Sequence, residues 1–479
     1  MFKNLLELNV DKNSKKIYLY FFIVFFLNFL FKIFYLDYSS FWFDEIISVH
    51  SASLDFGLIK HVSEWDKNPP FYYYCLSVWI KLINDSEFIV RLLSVVFSSL
   101  AAGFVFILAN KWFNKTTAII SSFLFLSSDV LHYYSHEARA YSLILLLSLI
   151  STYYYFKLKE SYSYKFMIAL GIVNFLMIYT HYISGIIIIF QTILGFIYFE
   201  KKQKMYFFYS LGVLIGLVLL RFTKKQILLI IAFNSTEKTF WLQKSNYMYL
   251  KEVMSEFLLN QFLLIPFLVL IFLSILILKF KNYKSMNFEV LYFSLIGFGS
   301  ITIVFILGKI TPIFLDRYLI FSIPFIFILV AFSLSFIKKK IIPISFSVVV
   351  FIFFAFKIDY KTPKSMDYKS AVNLIKNIKI GSDLIIVKTK DIKYLFCYYY
   401  DANFLSQQKK DLPKSDNVIF CSNWNDIDVD ILKFKRIIVL DSFQEYNPDE
   451  KDFGNKLSQI KKMYYTTSFY KGVKISFYN

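Results

Sequence analysis

Glycine is scarce in this chain, with 13 in 479 residues. A phosphate-cradling loop needs several glycines close together, so that backbone amides can approach the ligand with no Cβ in the way. No such cluster occurs, which excludes a P-loop nucleotide site. Cysteine is scarcer: Cys75, Cys397 and Cys421 are the whole set, and none has the C-x-x-C spacing of a metal site. Cys397 and Cys421 could pair if their segment is exported. Charge is sparse too, at 18% of residues against 57% apolar, a balance that no soluble domain of this length needs. Internal repeats and low-complexity tracts are absent. So is a cleavable signal pattern: the first apolar run is too long and lacks a small-residue cleavage site, so it is expected to stay as a span.

What is present is apolar sequence in long runs. Stretches near the ~20 residues that cross hydrocarbon fall at about 17–36, 88–109, 116–134, 139–157, 166–180, 183–199, 205–222, 260–278, 288–308, 317–337 and 341–357. The net charge of +19 does not require nucleic acid, because the lysines lie between these spans. Lys3, Lys12, Lys15 and Lys16 precede the first. Lys111 and Lys115, then Lys157, Lys159 and Lys165, then Lys201, Lys202 and Lys204, then Lys279, Lys281 and Lys284, then Lys338, Lys339 and Lys340 fill alternate loops. The turns near Thr180 and Pro312 are poor in lysine. That is the positive-inside pattern, with a cytoplasmic N-terminus. Lys224-Lys225 is the exception, and Ile227–Phe233 after it is too short to cross and reads as an interfacial helix.

An odd number of spans puts residues 358–479 outside. There Ser370–Ile378 reads as a helix, and Leu384–Val387, Val418–Phe420 and Ile437–Leu440 read as short strands. The expected organisation is an α-helical polytopic membrane domain, 1–357, with an external loop over 37–87, followed by a small extracytoplasmic α/β domain, 358–479.

The polar residues at the outer ends of the spans carry the chemistry. Asp44-Glu45 opens the amphipathic stretch Ile46–Val62. The pair either suits a helix dipole or supplies a general base, and spacing does not say which acid would be the base. In Asp66-Lys67-Asn68-Pro69-Pro70 the prolines fix an extended turn and start a helix. That turn is either structural, or it aims Lys67 at an anionic headgroup while Asp66 or Asn68 positions a hydroxyl. Glu87 and Arg91 are four apart and read as an interfacial ion pair. His136-Glu137-Ala138-Arg139-Ala140-Tyr141 sits at a junction of spans, where charge needs a partner or a polar cavity. Arg139 pairs there with Glu137 or binds phosphate through its planar fork. Asp316-Arg317-Tyr318 repeats that logic. His132, His136 and His181 lie near the same surface without metal-ligand spacing.

Four motifs in order carry a resemblance: Tyr38-x-x-Phe41-Trp42-Phe43-Asp44-Glu45; Asp66-x-Asn68-Pro69-Pro70-Phe71-Tyr72-Tyr73; Ser86-Glu87-Phe88-x-x-Arg91-Leu92-Leu93; and Tyr133-Tyr134-Ser135-His136-Glu137-Ala138-Arg139-Ala140-Tyr141. They resemble the N-terminal half of GT-C glycosyltransferases, in the bacterial branch similar to protein O-mannosyltransferases and the lipid A aminoarabinose transferase. The resemblance covers about residues 17–200; Arg317-Tyr318 is similar to a later feature, and Asp367-Tyr368-x-Ser370-Ala371 matches loosely. It implies an inverting sugar transfer from a polyprenyl-phosphate donor to a hydroxyl of lipid A, a glycan or a protein, on the periplasmic or other outer face of a bacterial cell membrane. Asp44, with Glu45 beside it, would hold the catalytic base. Arg139, Lys67 and Arg317 would hold the donor phosphate, and Asp66, Asn68, Glu137, Tyr141 and Arg91 would support them. Many relatives have His where Asn68 stands, which argues against a metal near that turn; no cofactor is expected, and ligand spacing gives a divalent metal no support. Relatives often have Pro where Asp129 stands, so the span around it is expected to differ locally. Two alternatives remain, a lipid-linked glycan transporter and an envelope glycan polymerase or ligase. A transporter would carry ionisable residues at mid-bilayer and inverted repeats.

Overall fold

In hydrocarbon every backbone N–H and C=O must be satisfied within its own segment, and helices achieve this. The computed structural model describes residues 12–62, 66, 68–161, 163–222, 244–259, 261–280, 287–358, 366–388, 392–401, 403–405, 417–421, 424–427, 430–441, 450–469 and 472–479. Lys67 and the stretch 224–233, with its expected interfacial helix, lie outside the described residues. The chain divides into two units, one of 1–34, 60–72 and 91–358, the other of 35–59, 73–90 and 359–479.

The first unit is helical, and each stretch expected to span contains helix. Among the described residues, Glu87–Trp112, Tyr141–Glu160, Lys201–Arg221, Phe288–Leu307 and Asp316–Leu334 are long and apolar enough to cross a membrane. Lys115–Leu126, Tyr164–Ile178, Tyr182–Tyr198 and Ile341–Lys357 are shorter apolar helices. The stretch expected as one span over 116–134 is two helices, Lys115–Leu126 and Asp129–Ser135. Ser128 ends the continuity: its hydroxyl accepts the Leu131 N–H at 3.3 Å, and Asp129 in the first turn suits the new helix dipole.

Two devices join these helices. Gly171 lets Tyr164–Ile178 approach Lys201–Arg221, since a Cβ there would lie 2.7 Å from the Ser210 carbonyl oxygen. A buried polar network crosses four helices. Ser151 donates to Asn174 Oδ1 at 2.6 Å, Asn174 donates to Gln191 Oε1 at 3.1 Å, and Gln191 Nε2 donates to Ser151 and to the Tyr292 hydroxyl at 2.8 and 3.1 Å. Aromatic rings pack around it: Tyr155 stacks on Phe199 and Tyr292 with centroids 5.0 and 5.3 Å away.

The second unit holds a five-stranded sheet of order β2-β1-β3-β5-β4, with β1 Leu384–Lys388, β2 Val418–Cys421, β3 Ile437–Asp441, β4 Met463–Ser468 and β5 Lys474–Tyr478. β1 pairs parallel with β2 and β3, and β5 pairs antiparallel with β3 and β4. All five residues of β1 are buried, as a central parallel strand requires. The expected helix and three strands are present, each extended by a residue or two. β4 and β5 add to them. β4 is an almost wholly exposed edge whose polar Met463–Ser468 has no buried face to impose an alternating pattern. No disulfide joins Cys397 and Cys421, which are both buried.

Replacing Gln191 with leucine leaves Asn174, Ser151 and Tyr292 each short of a partner. It is expected to cost about 1 kcal/mol and lower the thermal midpoint of the purified protein in detergent. An unchanged midpoint would show that the network does not hold these helices.

Candidate active site

In the first unit, four polar segments at helix ends are tied together by specific bonds. Pro69 and Pro70 are buried, and Phe71, where the next helix begins, donates its N–H to the Tyr179 carbonyl at 3.0 Å. The turn therefore docks on the Tyr179–His181 loop. Asn68 Nδ2 donates to Asp66 Oδ2 at 3.1 Å, which orients the carboxylate. The same Oδ2 lies 3.6 Å from Arg139 Nη1.

Arg139 sits in the break between Asp129–Ser135 and Tyr141–Glu160, its N–H bonded to the Glu137 carbonyl at 2.8 Å. Glu137, Arg139 and Tyr141 are all buried. Beside the two expected readings, pairing with Glu137 or binding phosphate, the structure gives Arg139 an acidic neighbour from the Asp66 turn. The Tyr134 hydroxyl donates to Asp316, and the Tyr134 ring packs edge-on against Tyr141 at 5.2 Å. This fixes the Asp316–Leu319 turn, which carries Arg317, against the Arg139 segment.

Tyr318 lies beside His181, ring centroids 4.7 Å apart. His181 Nδ1 accepts the Ile183 N–H at 3.3 Å, which leaves the ring proton on Nε2. Burial, then the positive charges of Arg139 and Arg317, push His181 down to about 3. The imidazole is therefore neutral, and both guanidinium groups act on it.

A cavity of about 650 Å³ opens in the same unit, lined by Asp129, Tyr133, Tyr134, Glu256, Asp316 and Lys357, a size that suits a small polar molecule. Burial, then Asp316 and Glu252, push Glu256 up to about 6. Among the described residues no group of three His, Cys, Asp or Glu side chains is placed to hold a metal ion.

Asp44 and Glu45 belong to the second unit, in the helix Phe43–Ser53. The stretch expected as one amphipathic segment to Val62 breaks after Ser53, with a short turn of helix at Phe56–Ile59. The structure separates the two acids. Glu45 is buried and its Oε2 accepts the Trp42 N–H at 3.3 Å, capping its own helix. Asp44 is half-buried and reaches solvent.

The backbone leading into this helix is clamped. Phe41 donates its N–H to the Tyr399 hydroxyl at 2.7 Å, which donates to Glu87 Oε1 at 2.5 Å. Lys369 Nζ lies 2.5 Å from Glu87 Oε2, and its backbone N–H donates to Ser40 Oγ at 3.0 Å. Ser40 in turn donates to Asp367 at 3.3 Å. Glu87, expected to pair with Arg91 one turn on, thus binds Tyr399 and Lys369 with its two oxygens. Arg91 is buried within Glu87–Trp112. His50, later in the Asp44 helix, stacks on Tyr394 at 3.8 Å, and burial pushes it down to about 4.

Of the residues expected at the site, the first unit brings together Asp66, Asn68, Glu137, Arg139, Tyr141 and Arg317. Lys67 is not described. Sequence reasoning missed the part played by Tyr399, which falls in a Tyr-Tyr-Tyr run that looks like composition; it named Tyr134 and His181 but not their partners.

Residues 67–234 match the family described as dolichyl-phosphate-mannose-protein mannosyltransferase. No curated protein sequence matches. Among solved structures, the chain is similar to ArnT from Cupriavidus metallidurans in the apo state, at TM-score 0.58 and 12% identity over 97% of this chain and 98% of that one. The same protein bound to undecaprenyl phosphate gives TM-score 0.57 and 10% identity over 98% of both chains. The archaeal oligosaccharyltransferase AglB from Archaeoglobus fulgidus, in complex with an inhibitory peptide and a dolichol-phosphate, gives TM-score 0.53 and 10% identity over 80% of this chain and 63% of that one.

Two outcomes are expected in the second unit. Tyr399→Phe removes the bonds to Phe41 and Glu87 and costs about 1–2 kcal/mol, read as a lowered unfolding midpoint. His50 is protonated more readily unfolded, near 6.5, than folded, near 4. Its contribution to stability is therefore full above pH 6.5 and is lost as pH falls toward 4. His50→Phe should flatten that part of the stability–pH curve; an unchanged slope would remove His50 as its source.

Proposed function

We propose that this chain is a glycosyltransferase of the GT-C type, an inverting transferase that moves a sugar from a polyprenyl-phosphate donor to a hydroxyl acceptor. The acceptor class is lipid A, a glycan or a protein, and the reaction runs on the outer, periplasmic face of a bacterial membrane. The lysine-rich alternate loops support that orientation. Structural relatives bound to undecaprenyl phosphate and to a dolichol-phosphate support the donor class.

In this reading Asp44 accepts the proton of the attacking hydroxyl, whose oxygen bonds to the anomeric carbon from the face opposite the phosphate. The bond from that carbon to the phosphate oxygen breaks, and the lipid phosphate leaves with one more negative charge than it had as a diester. Positive charge stabilises that change; Arg139 and Arg317 supply it, with Lys67 as a third cation. Asp66, oriented by Asn68, holds Arg139 in place, while Glu45 shapes the helix that carries the base. Arg91, Glu137 and Tyr141 line the same outer helix ends. The carrying observation is the pair Arg139 and Arg317, both acting on His181, at the end of apolar helices. Two guanidiniums at the ends of apolar helices suit an anionic ligand.

Asp44→Asn, with expression and folding preserved, is expected to lower sugar transfer from an undecaprenyl-phosphate-linked donor by about 10²- to 10⁴-fold, the usual contribution of a general base. Radiolabel transfer to envelope material measures it. A fully active variant would overturn the mechanism.

A further inference from the structure

His181 is a buried polar side chain whose bonding is incomplete. It is 8% exposed. Its Nδ1 is occupied by the Ile183 N–H at 3.3 Å, and its Nε2 is buried and makes no hydrogen bond among the described residues. Such a donor is costly to keep unless something accepts from it.

Its surroundings name the acceptor. The Asp66 turn reaches the His181 loop through Phe71 and Tyr179, and Asp66 also meets Arg139. Tyr318, next to Arg317 in sequence, packs on the imidazole ring. The loop is held at both ends, since the His181 N–H bonds the Met177 carbonyl at 3.1 Å and Ser184 Oγ donates to the His181 carbonyl at 2.7 Å. The ring is therefore fixed between two arginine-bearing segments. A group that accepts from Nε2–H in the field of two guanidiniums is an oxyanion with several oxygens.

We propose that His181 donates its Nε2–H to an oxygen of a phosphate monoester held between Arg139 and Arg317. The assignment rests on the transferase reading above, in which that monoester is the departing lipid phosphate. As the acceptor oxygen bonds to the anomeric carbon, the carbon–phosphate-oxygen bond breaks and its electron pair stays on the phosphate oxygen. The diester monoanion becomes a monoester dianion, and the acceptor's proton goes to Asp44. His181 keeps its proton throughout. It adds a third donor where charge grows, without the repulsion a further cation would bring beside two arginines.

The test uses the purified full-length protein with undecaprenyl phosphate and, separately, inorganic phosphate as probes. Binding is followed by native mass spectrometry and by thermal shift. His181→Leu is expected to weaken undecaprenyl phosphate binding about 10- to 100-fold, while His181→Gln, whose amide N–H is also a donor, recovers part of it. In transfer assays His181→Leu should lower kcat more than it raises KM for the donor, and should relieve inhibition by undecaprenyl phosphate. If Arg139→Ala loses binding while a folded His181→Leu binds like the unaltered protein, the role of His181 is refuted and the transferase reading survives. Equal losses in the Leu and Gln variants also refute it, since the ring would then be a packing element. If the unaltered protein binds inorganic phosphate but not undecaprenyl phosphate, the site is a free-phosphate site and the transferase reading falls instead. Binding of neither probe overturns both.

Discussion

A guanidinium taken out of water beside apolar helices must be given negative charge, and in the first unit that requirement organises everything near Arg139. Asp66 comes from a turn far away in sequence, and its carboxylate is itself oriented by Asn68. A separation of 3.6 Å is longer than a tight charge-assisted hydrogen bond. Asp66 therefore supplies the arginine with a nearby negative charge, without which it would be expensive to bury.

The same economy explains the second unit. Glu87 lies at the start of a long apolar helix, where a carboxylate suits the dipole. Its two oxygens collect Tyr399 and Lys369 from the C-terminal segment, and those residues grip Phe41 and Ser40. The C-terminal segment thus helps hold the backbone that leads into the Asp44 helix. Glu45 completes the effect by capping that helix from within, so the two adjacent acids stand in different surroundings.

Much of this was legible in the sequence. The helices of the first unit follow from runs of apolar residues whose length matches a bilayer. The strands β1 and β3 follow from short buried runs of Ile, Leu and Val. The turn at Asp66–Pro70 follows from its two prolines, and Arg139 stood out because charge at that depth needs a reason. The break before Asp129 was marked by a change of residue type at one position, while its cause, the Ser128 cap, is local and ordinary. The strands β4 and β5 were not legible. β4 is a polar edge that buries little, and periodicity reports burial rather than hydrogen bonding.

Local pattern thus determined the class of this protein, its helical spans, the small sheet and the list of charged residues worth attention, because each depends on neighbours within a few turns or on lipid thickness. Tertiary structure alone decided the pairings: Arg139 with Asp66, Glu87 with Lys369 and Tyr399, and His181 among segments separated by more than a hundred residues. A charged side chain can be satisfied by any partner that arrives with the right geometry, and which one arrives is set by helix packing, not by spacing along the chain.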